Sequence, residues 1–200
     1  MIKDRVIANF HHPKGVFGRI AGRIMSTRDT NVARNRWIAD LLDPAPDAYI
    51  CEIGHGPGIA IENIWPRLTT GRIVGVEISE LMSRTAARRN SAGVAAERVE
   101  FRVADSAALP ADLDQFDLIF GVNASMFWPD TQTAIDNLVA RLAPGGELVL
   151  VFMTPPTSDQ TAESVAAEYA TQFRSAGLTD IRHDEMETPA SAIATRGRRR

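Results

Sequence analysis

The chain has 200 residues, 44% hydrophobic and 24% charged, with a formal net charge of −3 and a single cysteine. That length supports one sizeable core, and the balance sets aside a disordered or fibrous chain. The lone Cys51 excludes an internal disulfide or a multi-cysteine metal site, so no metal is expected, and no apolar run approaches the roughly 20 residues of a membrane span.

Met1-Ile2-Lys3-Asp4-Arg5 is not followed by the apolar core of a signal peptide, so a cytoplasmic protein without membrane insertion is expected. Residues 1–36 hold eight Lys or Arg against two Asp or Glu, and Arg196, Arg198, Arg199 and Arg200 close the chain. Without stacking aromatics or a basic stripe, this reads as solvated charge, and no nucleic-acid partner is expected. Phe17, Ile20, Ala21, Ile24 and Met25 follow one helix face, which Gly18 and Gly22 weaken by up to about 1 kcal/mol each. Such a helix depends on docking. It suits a segment that orders over a ligand as well as one that is permanently packed. A second helix runs from about Asn31 to Leu42 with Trp37, Ile38, Leu41 and Leu42 inward, and Asp43-Pro44-Ala45-Pro46-Asp47 ends it. The organisation expected is a helical segment at 1–47, with a lid as one use for it, ahead of a domain at 48–200.

Tyr49-Ile50-Cys51-Glu52-Ile53 is an apolar run with one acid near its end, followed by Gly54-His55-Gly56-Pro57-Gly58. The pattern predicts strand, tight turn and a helix from about Gly58 to Trp65, stopped at Pro66. Glycine suits positions of positive φ or close ligand approach, and the unpaired N–H groups opening the helix favour an anionic or nucleotide-like ligand. A dinucleotide fingerprint would need its third glycine where Ile59 stands. Cys51 reads as a small core residue, and His55 as one that orders the loop.

The next strand, Gly71 to Glu77, ends in a carboxylate 19 residues beyond Gly58, near the roughly 20 expected for an acid that accepts from ribose hydroxyls. Ile78 stands where an adenine would touch. Ser79 opens a helix to about Asn90, with Met82 turned toward the pocket. Val99, Phe101 and Val103 alternate in a third strand before Asp105-Ser106, where an acid can accept from an adenine amino group beside a backbone N–H. Phe116 to Asn123 is nearly continuous in apolar residues, as in a strand covered on both faces, and Asn123 ends it where open α/β sheets keep their crevice. Phe127 and Trp128 follow as a candidate substrate wall, with core packing of one ring as the alternative. A helix from Thr131 to Leu142 leads through Pro144-Gly145-Gly146 to a fifth strand, Glu147 to Met153. Beyond it come a helix from about Asp159 to Ala176, ended by Gly177, and strands at about Thr179–Glu187 and Ala190–Arg196. The short link between those strands demands an antiparallel pair.

The Glu52-x-Gly-x-Gly-x-Gly run, Glu77, Asp105, Asn123, the Phe127-Trp128-Pro129 loop and Pro144-Gly145-Gly146 make residues 48–200 resemble the class I S-adenosylmethionine (SAM) dependent methyltransferases. The resemblance is to the broad group of quinone-biosynthesis and small-molecule methylating enzymes. It implies an α/β, Rossmann-like class I methyltransferase fold, with a mostly parallel seven-stranded sheet, a C-terminal antiparallel strand and helices on both faces. It implies SAM as cofactor and S-adenosylhomocysteine (SAH) as product. The cofactor site implied is Glu52, Gly54, Gly56, Gly58, Glu77, Ile78, Met82, Asp105, Ser106 and Asn123, with Glu52 near the methionine end and Phe127 and Trp128 on the substrate. The partner implied is a small-molecule methyl acceptor with an O, N, S or C nucleophile. No catalytic residue is assigned: His11, His12 and His55 are the available imidazoles, and an acidic acceptor needs no base. An NAD(P)-binding oxidoreductase and a non-catalytic SAM-binding interaction protein are the alternatives. The oligomeric state is left open, with a homodimer among the options.

Overall fold

A computed structural model describes residues 29–105, 107–153, 160–186 and 192–200. Ser106 and the helix expected around Phe17–Met25 lie outside them, as do the side chains of residues 29–34 and of Phe127. In chain order the elements are α1 (Asp29–Leu42), β1 (Tyr49–Ile53), α2 (Ile59–Ile64) with a 3-10 turn (Trp65–Arg67), β2 (Arg72–Glu77), α3 (Glu80–Arg89), α4 (Ser91–Ala95) and β3 (Val99–Val103). Then come β4 (Phe116–Val122), a 3-10 turn (Ala124–Phe127), α5 (Thr131–Ala140), β5 (Leu142–Met153), α6 (Ala162–Ser175), β6 (Thr179–Met186) and β7 (Ala192–Arg198).

The strands form one sheet in the order β3-β2-β1-β4-β5-β7-β6. β1 to β5 pair in parallel, and β7 runs antiparallel to both β5 and β6. The strand order reverses between β1 and β4, and such a switch point leaves a crevice at the carboxyl ends of the two strands. The antiparallel β7 departs from the dinucleotide-binding order, in which the sixth strand follows the fifth in parallel.

Both faces of the sheet are covered, which is why the central strands read as apolar runs. Leu148, Leu150 and Phe152 of β5 join Cys51, Ile53, Ile119, Ile135, Leu138 and Phe173 on the α5 and α6 face. Val149 and Val151 join Ile50, Phe120, Ile61, Ile38 and Leu42 on the α1 and α2 face. Each such Leu or Ile contributes on the order of 1.5–3 kcal/mol by leaving water. α1 therefore shares the core of the strands that follow it, with Trp37 and Leu41 only partly buried at its edge.

Several element ends differ from the sequence reading, some for local reasons and some for contacts far along the chain. α5 stops at Ala140, and Leu142 already pairs with Phe116 in the sheet. Arg199 donates to the carbonyl oxygens of Ala140 and Leu142, which the end of the helix leaves without intrahelical partners. Pro66 is absorbed in the 3-10 turn, and α6 begins at Ala162 because Thr161 and Ser164 cap it reciprocally. The chain-end arginines are not all solvated: Arg196 is 11% exposed and meets Glu147 at 2.5 Å, since β7 runs on to Arg198 and carries it into the sheet. Among the described residues no helix is long and apolar enough to cross a membrane, and no group of three or more His, Cys, Asp or Glu is placed to hold a metal ion.

Candidate active site

The loop after β1 turns through three left-handed glycines, Gly54, Gly56 and Gly58, with φ of 65°, 51° and 74°. Their surroundings differ. A Cβ on Gly58 would lie 2.7 Å from Ala86 Cβ and 2.9 Å from Asn90 Nδ2, and one on Gly54 would lie 3.1 Å from Ala124 Cβ. Those two positions let α3 and the turn after β4 close onto the loop. A Cβ on Gly56 would meet no atom within 4 Å. Gly56 is thus the position where backbone lies bare against open space.

Helix α3 backs the loop. Asn90 Nδ2 donates to the carbonyls of Gly58 and Ala86, each at 3.0 Å, and Arg89 Nε donates to the Pro57 carbonyl at 3.0 Å. Neither residue stood out in the sequence, because the contacts span 32 positions without a motif. His55 is buried within the loop, its Nδ1 2.8 Å from Gly56 O and its Nε2 3.4 Å from Ser83 Oγ. Burial pushes its pKa down to about 4, outweighing the backbone hydrogen bonds that favour the charged ring. Cys51 is buried beneath, and burial with the neighbouring Glu52 charge raises its thiol well above the ordinary range, as suits an inert core residue.

Glu77, at the end of β2, accepts from the Gly56 N–H through Oε2 at 3.1 Å and from the Ser79 N–H through Oε1 at 2.9 Å. Each oxygen has room for a second donor. Beside it Ile78 is 52% exposed, as is Val103, at 54%, whose register partner is Glu77. Asp105 is exposed, and its Oδ1 accepts from the Ala107 N–H at 2.9 Å. Glu52 is buried in β1 opposite Gly75. Met82, expected to face the pocket, is buried, its N–H capped by Ser79 Oγ. The three strand ends thus bring Glu52, the glycines, Glu77, Ile78 and Asp105 to one rim.

Across the rim, Asn123 takes a left-handed φ of 54°; its N–H donates to Val151 O and its Oδ1 accepts from the Met153 N–H, both at 2.8 Å. Its amide oxygen therefore extends the β4–β5 pairing. The turn that follows rests Ala124 against Gly54 and pairs Ser125 Oγ with Tyr169 Oη of α6. Trp128 N–H donates to Ser125 O at 3.1 Å, its ring packing partly on the core, while Met126 is 43% exposed. Tyr169 is 3% exposed, and burial pushes its phenol up to about 12, with the Ser125 hydrogen bond acting the other way. Ser125, Met126 and Tyr169 were not singled out in the sequence.

This arrangement fits an adenosyl group. A bare glycine cradle admits close approach, a carboxylate with spare acceptor sites suits a diol, and uncovered Ile78 and Val103 offer apolar surface to a ring.

The family profile described as a methyltransferase domain matches residues 50–146, from within β1 through the Pro-Gly-Gly turn. The uncharacterized methyltransferase YdaC of Bacillus subtilis is 28% identical over 165 residues, which cover 81% of this chain and 87% of that one. A trans-aconitate 2-methyltransferase of Streptomyces avermitilis is 35% identical over 172 residues, 80% of this chain and 61% of that enzyme, so the chain spans less than two thirds of it. Among solved structures, the magnesium protoporphyrin IX methyltransferase ChlM of Synechocystis with bound SAM matches with a TM-score of 0.66 at 16% identity, over 86% of this chain and 79% of that one. That likeness speaks for the fold. The matched profile covers the strands that build the crevice and the sheet ends in the antiparallel β7, so residues 50–146 match a methyltransferase domain and the chain has the class I methyltransferase fold.

Proposed function

We propose that the chain transfers the methyl group of SAM to a small acceptor that is ionised in water on its own, a carboxylate first among them, seated beside the Ala124–Phe127 turn. The observation that carries the reading is the open Gly56 position in the loop whose Gly54 the turn packs against through Ala124, with the loop's imidazole held neutral by burial and already engaged. Bound SAM supplies an electrophilic methyl on a sulfonium centre. In this reading Glu77 receives the ribose hydroxyls, Ile78 and Asp105 meet the adenine together with Ser106, and Glu52 lies toward the methionine end. Asn123 shapes the strand end, and Met126 and Trp128, with Phe127, wall the acceptor.

An alcohol or a protonated amine would need a base near neutral pH. His55, with its pKa near 4 and Nδ1 on a carbonyl, is poorly suited to that work. A carboxylate needs only orientation, which is worth about 7–11 kcal/mol at best. The Streptomyces relative is named for trans-aconitate, a carboxylate. In the same reading residues 1–30 form a lid over the acceptor, and Lys14, Arg19 and Arg23 attract its charge.

The test is label transfer from methyl-labelled SAM to trans-aconitate and a panel of mono- and dicarboxylates, with amines and alcohols in parallel. Label should appear in a carboxylate ester with SAH formed in equal amount. Transfer to an amine or alcohol alone would reject the acceptor class. Deleting residues 1–26 should leave SAM affinity nearly unchanged and strongly reduce transfer; a folded truncation working at the full rate removes the lid.

A further inference from the structure

Gly56 is gripped on both sides. Its N–H donates to Glu77 Oε2 at 3.1 Å, and its carbonyl lies 2.8 Å from His55 Nδ1. A carbonyl only accepts, so Nδ1 carries the ring proton and Nε2 is the bare nitrogen. That nitrogen faces the Ser83 hydroxyl at 3.4 Å, a long contact in which Ser83 is the donor. One chain of hydrogen bonds therefore runs from α3 through the imidazole and the Gly56 backbone to the carboxylate that ends β2. The ring has a built place. It is 4% exposed and its centroid lies 4.9 Å from that of Phe101. It lies over Gly75, where a Cβ would come within 2.8 Å of its Cδ2.

We infer that His55, as its Nδ1–H tautomer, is a positioning residue for the ribose of SAM: it holds Gly56 so that the Glu77 carboxylate is preset for the two hydroxyls. The inference rests on the reading that Glu77 binds the ribose. A carboxylate on a loosely held loop must be ordered when the ligand arrives, and that ordering subtracts from affinity. With Gly56 N–H on one oxygen and Ser79 N–H on the other, the ordering is already done in the fold. His55 touches neither ribose nor sulfonium in this account. It acts through the two peptide groups that meet at the Gly56 Cα.

The experiment is calorimetric titration of the full chain with SAH, comparing wild type, His55→Phe, His55→Asn, Glu77→Ala and the double variant His55→Phe/Glu77→Ala. Phe keeps the ring's bulk and loses the donor, so affinity should fall about tenfold or more. Asn keeps an N–H near the position of Nδ1 and should stay within about threefold of wild type. The double variant should bind no more weakly than Glu77→Ala alone, because both changes act on one contact. Additive losses, or a tight-binding Phe variant beside a weak Asn variant, would overturn the inference and leave packing as the role of the ring. Unchanged affinity in Glu77→Ala removes the ribose assignment and the inference together; an intact Glu77 effect without coupling removes the inference only. Nitrogen NMR of the wild type needs no variant to fold. It should show a protonated Nδ1 and a bare Nε2 with and without SAH, and the opposite tautomer would overturn the inference.

Discussion

On the β1–β2 side of the crevice, side chains grip backbone: Glu77 takes the N–H groups of Gly56 and Ser79, and Arg89 and Asn90 hold the carbonyls of Pro57 and Gly58. On the β4–β5 side, the turn is held by two side chains of its own. Asn123 bonds the Met153 backbone 30 residues on, and Ser125 bonds the Tyr169 hydroxyl 44 residues on. In the proposed reading the first side meets the cofactor. In the same reading the second presents Met126 and Trp128 to the acceptor, with none of the loop's own hydrogen bonds made by either side chain. That reading assigns cofactor affinity and acceptor choice to separate contacts, so substitutions on the two sides should have separate effects.

The sharpest way to break that separation is at the glycines. In Gly56→Val the branched side chain enters the open cradle at a φ that bulky residues avoid, while no protein atom within 4 Å is displaced. SAM affinity should fall about a hundredfold or more with the fold retained. Gly58→Val should instead destabilise the fold, since its Cβ would collide with Ala86 and Asn90. Calorimetry and thermal melting on both variants check the contrast. A Gly56→Val protein that binds SAM normally would place the cofactor elsewhere.

The neutral ring in the loop makes a second difference visible in acid. Burial lowers the His55 pKa from 6.5 to about 4 in the folded state, so between those values the unfolded chain binds more protons. Stability from this group is fully present above the unfolded value and is lost as pH falls through the window, by up to about 3 kcal/mol. Carboxylates add acid sensitivity of their own, so the readout is the difference between wild type and His55→Asn in denaturant titrations at pH 7, 5.5 and 4.5. The wild type should lose more. Parallel pH profiles for the two proteins would show that the ring is not held neutral.

What could be read along the chain were features with local causes. The glycine run and the acid at the end of β2 follow from spacing, and the continuous apolar strands follow from a sheet covered on both faces. Gly56 could not be told from Gly54 and Gly58, because the difference lies in what each faces: open crevice, Ala124 or Ala86. The end of α5 was misplaced because its last carbonyls are met by Arg199, on the far side of the sheet in sequence. The place of Asn123 at a strand end is visible in the sequence, and its bond to Met153 is not. The Ser125–Tyr169 pair carries no motif at all, since any helix hydroxyl that topology brings near would serve.

That pair also supplies the smallest effect and a ranking. Tyr169 is buried and Ser125 half-buried, so removing one hydroxyl strands its partner to different degrees. In Tyr169→Phe the Ser125 hydroxyl can turn to water, and the loss should be about 1 kcal/mol, or roughly 2–4 °C in melting temperature for a chain of this size. In Ser125→Ala the phenol is left in the core without a partner, a situation that costs about 1–3 kcal/mol. Ser125→Ala should therefore be the more destabilised protein, and the double variant should recover part of the loss by removing the stranded phenol. SAM affinity should stay unchanged in all three, because the pair lies on the side of the crevice proposed for the acceptor. Melting curves with calorimetric titration check both halves. Equal destabilisation by the two single changes would mean the phenol reaches water by another route, and a loss of SAM affinity would mean that the turn after β4 also sets the glycine loop, through the contact of Ala124 with Gly54.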